Sequence, residues 1–117
     1  MMRWTQLQLG RGTTRDGMTV FAEEQSRKMW RAHTILHPER EQFERDHTQF
    51  RAYGLGWRLA DVHGYKVVSH TGSYTGFRAE VTMVPELDLG IVVLLNASSS
   101  DARAAITHGI LKPYLGV

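Results

Sequence analysis

The sequence predicts an α+β fold: helices at the N-terminal side, an antiparallel sheet of about four strands, and a C-terminal helix packed on that sheet. Three observations carry this. Apolar residues recur at helical spacing in the first half, the period changes to two from Tyr53 onward, and helical spacing returns after Ser98-Ser99-Ser100-Asp101. Most of the eleven glycines lie beyond residue 52, as do most β-branched residues. Residues 1–52 are therefore read as a helical region followed by a loop, and residues 53–117 as sheet plus C-terminal helix, together one compact unit.

Met2, Trp4, Leu7 and Leu9 form a short helical pattern that stops at Gly10, and the Gly, Thr, Arg and Asp residues from Gly10 to Gly17 make a loop. From Phe21 to Ala32, Phe21, Ala22, Gln25, Met29 and Trp30 share a helical face. Glu23 and Glu24 come early and Arg27, Lys28 and Arg31 late, the order that suits a helix dipole. His33 to Ala52 is polar and broken by Pro38, so it reads as a long loop with one helical turn at Glu39 to Arg45.

Tyr53 to Leu59 alternates large and small residues as a strand does, and Asp61 to Gly64 is turn chemistry that sends Tyr65 to His70 back as its antiparallel partner. Arg78 to Val84 places Ala79, Val81 and Met83 on one face and Arg78, Glu80 and Thr82 on the other. Pro85 to Asp88 makes the next turn, and the apolar run Gly90 to Asn96 predicts a central strand covered on both faces. Ser98 to Asp101 offers N-caps for a helix from Ala102 to about Lys112, whose Ile106, Ile110 and Tyr114, joined by Leu111 and Leu115, should lie on the sheet.

Composition narrows the function classes. The chain has 117 residues, 42% of them hydrophobic and 22% charged, which fits one folded domain and excludes a disordered or collagen-like chain. Fourteen basic residues, most of them Arg, interleave with twelve acidic ones to leave +2, which argues against a nucleic-acid partner. The apolar run Ile91–Leu95 falls far below the roughly 18 residues of a membrane span. With no Cys, disulfides and thiolate metal sites are excluded, and the opening Met1-Met2-Arg3-Trp4-Thr5-Gln6 lacks the apolar stretch expected of a signal peptide.

Three local patterns bear on chemistry. His33 and His37 stand four apart, the spacing of a metal pair on a helix, but Thr34 replaces the Glu of a zinc-protease motif, Pro38 interrupts the helix and no third ligand is evident; two surface histidines, and no metal, is the expectation. Gly72-Ser73-Tyr74-Thr75-Gly76 lacks the Gly-Lys-Ser/Thr ending of a phosphate loop and reads as a turn. An independent Ser/His hydrolase built on Ser69 or Ser73 with His70 is disfavoured, because neighbours on a strand point to opposite faces and no nucleophile elbow is present.

The third pattern is wider: Tyr53-Gly-Leu-Gly-Trp57, His70-Thr71-Gly72-Ser73, Gly76-Phe77, Pro85-Glu86 and Gly90 to Asn96, in that order. It resembles the C-terminal part of the serine β-lactamase and penicillin-binding-protein superfamily, especially class C β-lactamases, D-aminopeptidases and β-lactamase-like esterases. The resemblance implies a partial β-lactamase/transpeptidase-like fold, an acyl-enzyme mechanism on amide, ester or β-lactam substrates, a small-molecule acyl substrate, and no cofactor.

Carried over to matching positions, His70 is the third-motif catalytic residue and Thr71 offers its hydroxyl to substrate. Gly72 permits close approach, and the Ser73 N–H is half of an oxyanion hole. His70 stands where β-lactamases usually have Lys, which leans toward an esterase or peptidase-like member.

The other two elements are missing. No Ser is followed three residues later by Lys, and Asn96, the only Asn, has no Tyr or Ser two before it. The chain is therefore expected to be a catalytically incomplete C-terminal piece whose unpartnered sheet edge forms a homodimer or swapped dimer. The competing class is a non-catalytic binding or assembly module that keeps the His-Thr-Gly strand. The resemblance leaves the compartment open.

Overall fold

A computed structural model describes all of residues 1–117. Helices α1 (Met2–Leu9) and α2 (Glu23–Met29) precede strand β1 (Thr34–Leu36), helix α3 (Arg40–Asp46), and strands β2 (Arg51–Tyr53), β3 (Arg58–Val62), β4 (Tyr65–Tyr74) and β5 (Phe77–Val84). A 3-10 turn at Pro85–Leu87 leads into β6 (Leu89–Leu95), and α4 (Ser100–Leu115) ends the fold. The strands form one antiparallel sheet in chain order, β1 to β6. The α+β class and the C-terminal helix stand as read from the sequence; the sheet has six strands where about four were expected.

The two extra strands come from the segment read as a long loop. β1 and β2 are three residues each, too short for alternation to show, and they pair through Ile35↔Ala52. Between them α3 forms where one helical turn was expected, with a capping box in which Glu39 and Gln42 satisfy each other's backbone amides. The expected strand Tyr53–Leu59 is instead a hairpin bend. Gly54 N–H donates to the Trp57 carbonyl at 2.7 Å, and Tyr53 lies opposite Arg58.

Gly54 sits so close to α2 that an added Cβ would lie 2.1 Å from the Met29 carbonyl oxygen, and Gly56 takes φ +76°. The small residues that looked like alternation are there for close approach and turn geometry.

Two apolar layers sandwich the sheet. On one face Trp30, Ala52, Trp57, Leu59, Val68, Val81 and Met83 pack together, with Leu9 of α1 and Met29 of α2 against them. On the other, Val67, Val84, Ile91 and Val93 pack against Leu111 and Leu115 of α4. The β5 alternation is as expected, with Val81 and Met83 in the first layer.

The α4 register differs from the expectation. Thr107, Leu111 and Leu115 are buried, while Ile106, Ile110 and Tyr114 are exposed. Both stripes have a four-residue repeat; the inward one is selected because Thr107 Oγ1 donates to Glu80 Oε2 at 3.1 Å while the two leucines fill the core. Ser99 supplies the N-cap, accepting from Ala102 N–H at 3.0 Å. The helix continues past Lys112 to Leu115, carried by Leu115 burial despite Pro113.

β6 also departs from its reading as a central strand: it is an edge, and Leu94 is exposed. Uniform apolarity does not distinguish the two positions, because α1 covers one face of β6 and α4 the other while its outer side stays open. Gly90 is the contact point with α1, where an added Cβ would lie 2.5 Å from Thr5 Cγ2. No helix is long and apolar enough to cross a membrane.

Two glycine substitutions should move stability in opposite directions. Gly54→Ala forces the Met29 carbonyl aside and should cost about 1–3 kcal/mol, the range for overpacking. Gly109→Ala meets nothing within 4 Å inside α4 and should gain about 0.5–1 kcal/mol from helix propensity. Urea titration of both variants measures the pair; equal effects would contradict the packing of the Gly54 bend against α2.

Candidate functional site

The site grows out of a mismatch in strand length. β4 has ten residues and β3 five, so their pairing ends at Arg58↔Ser69 while β4 continues to Tyr74 beside β5 alone. The β4–β5 hairpin closes at Tyr74↔Phe77 over the two-residue turn Thr75-Gly76, with Gly76 at φ +79°. Of the Gly72 to Gly76 stretch expected to be a turn, only Thr75-Gly76 is one; Gly72, Ser73 and Tyr74 extend β4, because each has a partner on β5.

A pair flanking a two-residue turn is the hydrogen-bonded one, and alternation then turns the N–H and C=O of Ser73 and Thr71 away from β5. The hairpin at Val62↔Tyr65 gives the same parity, directing Ser69 toward β3. Past Ser69 there is no β3 left, and the backbone groups of Thr71 and Ser73 face an unpaired edge.

His70 sits at the start of that edge, between Tyr53 and its own strand. Nε2 lies 2.7 Å from Tyr53 Oη and Nδ1 lies 2.7 Å from the Thr71 carbonyl. The two rings meet edge-on, with centroids 5.9 Å apart. His70, Thr71 and Gly72 line an open cleft of about 420 Å³ whose other walls include Trp4, Met29, Leu55 and Trp57.

Of the four residues singled out from sequence, three therefore share the cleft. Ser73 does not line it and is exposed on the outgoing strand. Gly72 faces Ala79, and an added Cβ would sit 3.6 Å from the Ala79 Cβ, an ordinary contact. Ser69 faces a second cavity of about 170 Å³ under α4, which His70 does not reach.

Tyr53 as a partner of His70 is not evident from the sequence, because Tyr53-Gly-Leu-Gly-Trp57 alternates large and small residues as a single strand does. Once Gly-Leu-Gly is a bend, Tyr53 falls opposite Arg58 and Arg58 opposite Ser69, the neighbour of His70. His33 and His37 flank β1 and do not share a helical face; the His33 ring donates to the Lys28 carbonyl at 2.9 Å. No group of three or more His, Asp or Glu side chains gathers at metal-binding range.

Behind the edge, Glu80 fastens α4 to β5, and a second ion pair lies within α3. Glu80, opposite Thr71, accepts from Thr82 and Thr107 and lies 3.2 Å from Arg103 Nε. Arg45 grips Asp46 through Nε at 2.9 Å and Nη2 at 2.8 Å. Burial pushes the Asp46 carboxyl upward, but the Arg45 bonds outweigh it and hold the group below its usual range. His108 on α4 is pushed below its ordinary value, first by burial and then by Arg45, against the opposing pull of Asp46 and Glu80.

The fold is thus an antiparallel sheet with helices on both faces, and His70-Thr71-Gly72 lies on an open edge of it. The Beta-lactamase family model matches residues 1–112, and the chain belongs to that family. It is similar to the unguisins hydrolase ungD of Aspergillus violaceofuscus, 30% identical over 88 residues, which are 74% of this chain and 15% of that protein. The unguisins hydrolase ungD' of Aspergillus campestris is 31% identical over 68 residues, 56% of this chain and 13% of the relative.

Among solved structures, the octameric penicillin-binding protein homologue from Pyrococcus abyssi superposes with a TM-score of 0.71 at 21% identity, over 94% of this chain and 22% of that one. The chain thus spans about a seventh of the length of the curated relatives it matches, 15% of one and 13% of the other.

The depressed His108 predicts a pH dependence of stability. A histidine harder to protonate when folded contributes stability that is complete above its unfolded value of 6.5 and is lost as pH falls below it toward the lower folded value. His108→Gln should flatten that slope in urea unfolding curves collected on both sides of pH 6.5. An unchanged slope would place its origin elsewhere.

Proposed function

We propose that this chain carries the third-motif strand of a serine acyl-transfer site, and that it is catalytically incomplete by itself. The observation that carries this is the His70-Thr71-Gly72 segment lying on the unpaired edge of β4 with the Ser73 N–H turned outward, where an acyl group can lie along the strand. Family membership and two relatives named as hydrolases support hydrolysis as the reaction class. His70 stands beside the reacting centre, Thr71 meets the polar end of the substrate, and Gly72 leaves the backbone approachable. Ser73 donates one oxyanion-hole hydrogen bond.

The attacking Ser and its Lys have no counterpart here, since no Ser is followed three residues later by Lys. They belong to a longer protein, in which residues 1–52 continue a helical region and residues 53–117 complete a sheet with C-terminal helix. The substrate class is a small acyl compound, an amide, ester or β-lactam, with no nucleic acid partner and no cofactor.

A second copy of the chain covers the outer side of β6. By the parity above, Gly90, Val92 and Leu94 turn their N–H and C=O outward, and Leu89–Leu95 carries none of the charges or prolines that normally protect an edge.

The purified chain should show no hydrolysis of a chromogenic β-lactam or a p-nitrophenyl ester above the buffer rate. Turnover that His70→Ala abolishes would overturn the incomplete-enzyme proposal. Leu94→Lys should shift the chain from dimer to monomer in sedimentation velocity, and a monomeric wild type would rule out the β6 pairing.

A further inference from the structure

We propose that Tyr53 is a positioning residue that fixes His70 as its Nδ1–H tautomer and holds the Nε2 lone pair away from the cleft. The Thr71 carbonyl can only accept, so the nitrogen 2.7 Å from it, Nδ1, carries the hydrogen. A neutral imidazole has one N–H, which leaves Nε2 as a lone pair, and Tyr53 Oη at 2.7 Å donates to it.

Tyr53 is itself held in place. Its carbonyl accepts from His33 N–H at 3.0 Å, it pairs with Thr34 and Arg58, and the following Gly54 is wedged against the Met29 carbonyl. His70 lines the cleft and Tyr53 does not, so the bond aims Nε2 at the Tyr53 hydroxyl and not at a ligand.

The consequence is specific. A neutral His70 presents neither a free lone pair nor a free N–H to the cleft, and any catalytic group that shares Nε2 must displace the Tyr53 hydroxyl. His70 then acts as a fixed wall and as a latch that ties the Thr71 carbonyl on β4 to Tyr53 on β2. The tautomer follows from these distances alone; its service to acyl transfer rests on the function proposed above.

The test uses the 15N-labelled 117-residue chain at a pH where His70 is neutral, with long-range proton–nitrogen correlation of the imidazole ring. Wild type should show a protonated Nδ1 and an Nε2 resonance displaced from the free pyridine-type position by an accepted hydrogen bond. In Tyr53→Phe the Nε2 resonance should return toward the free position, with the second tautomer emerging.

An Nε2–H tautomer in wild type overturns the proposal even if the variant fails to fold, and so does an Nε2 resonance that Tyr53→Phe leaves unmoved. Absence of hydrolysis by a longer protein that supplies Ser-x-x-Lys would remove the acyl-transfer role without altering the ring spectrum, so the two failures are distinguishable.

Discussion

The pairing of β4 with β5 is the constraint on which the rest depends. Its seven residue pairs, Val68↔Met83 to Tyr74↔Phe77, bring both faces of the sheet into register, Val68 with Met83 on one face and Thr71 with Glu80 on the other. Fixing that register decides which backbone groups point toward β3 and which residues lie on each face, because a slip of one residue would exchange the two faces completely. The open edge beyond Ser69 follows from the register together with the shortness of β3. The site is less an added feature than the place where a long strand outlives its neighbour.

The two faces are held by different physics. The face toward α1 and α2 is closed by aromatic and aliphatic packing around the fully buried Met83 and Val68. The face toward α4 has an apolar end around Leu111 and Leu115, and a polar end where Thr82 and Thr107 donate to Glu80 and Arg103 lies beside it as an ion pair. A buried carboxylate stripped of those partners would be costly. The polar network therefore specifies how α4 is rotated as much as how firmly it is held, and the outward stripe of Ile106, Ile110 and Tyr114 is the result.

Much of this was legible in the sequence, and the failures have physical causes. The long alternation of Arg78–Val84, the Pro85–Asp88 turn and the serine-rich cap before α4 were each readable, because one local rule governs each. Gly54-Leu55-Gly56 was misread because small residues between large ones satisfy both strand alternation and bend geometry; only the approach of Gly54 to Met29 decides. β1 and β2 are stabilised by neighbours instead of by their own pattern, so three residues of sequence could not declare them. The His70–Tyr53 contact was hidden by that same bend, whereas His70-Thr71-Gly72 stood out as a string.

The chain-order arrangement of the sheet has a kinetic meaning. Every strand pairs with the strand next in sequence, across loops as short as two residues between β3 and β4 and between β4 and β5. Loop-closure entropy is therefore small for β2 through β6, and such low-contact-order pairing favours rapid assembly. The exception is α1, which must wait for β6, more than seventy residues away in sequence, before Thr5 can seat on Gly90. A meander of this kind can zip from its own hairpins, while its first helix is among the last parts to settle.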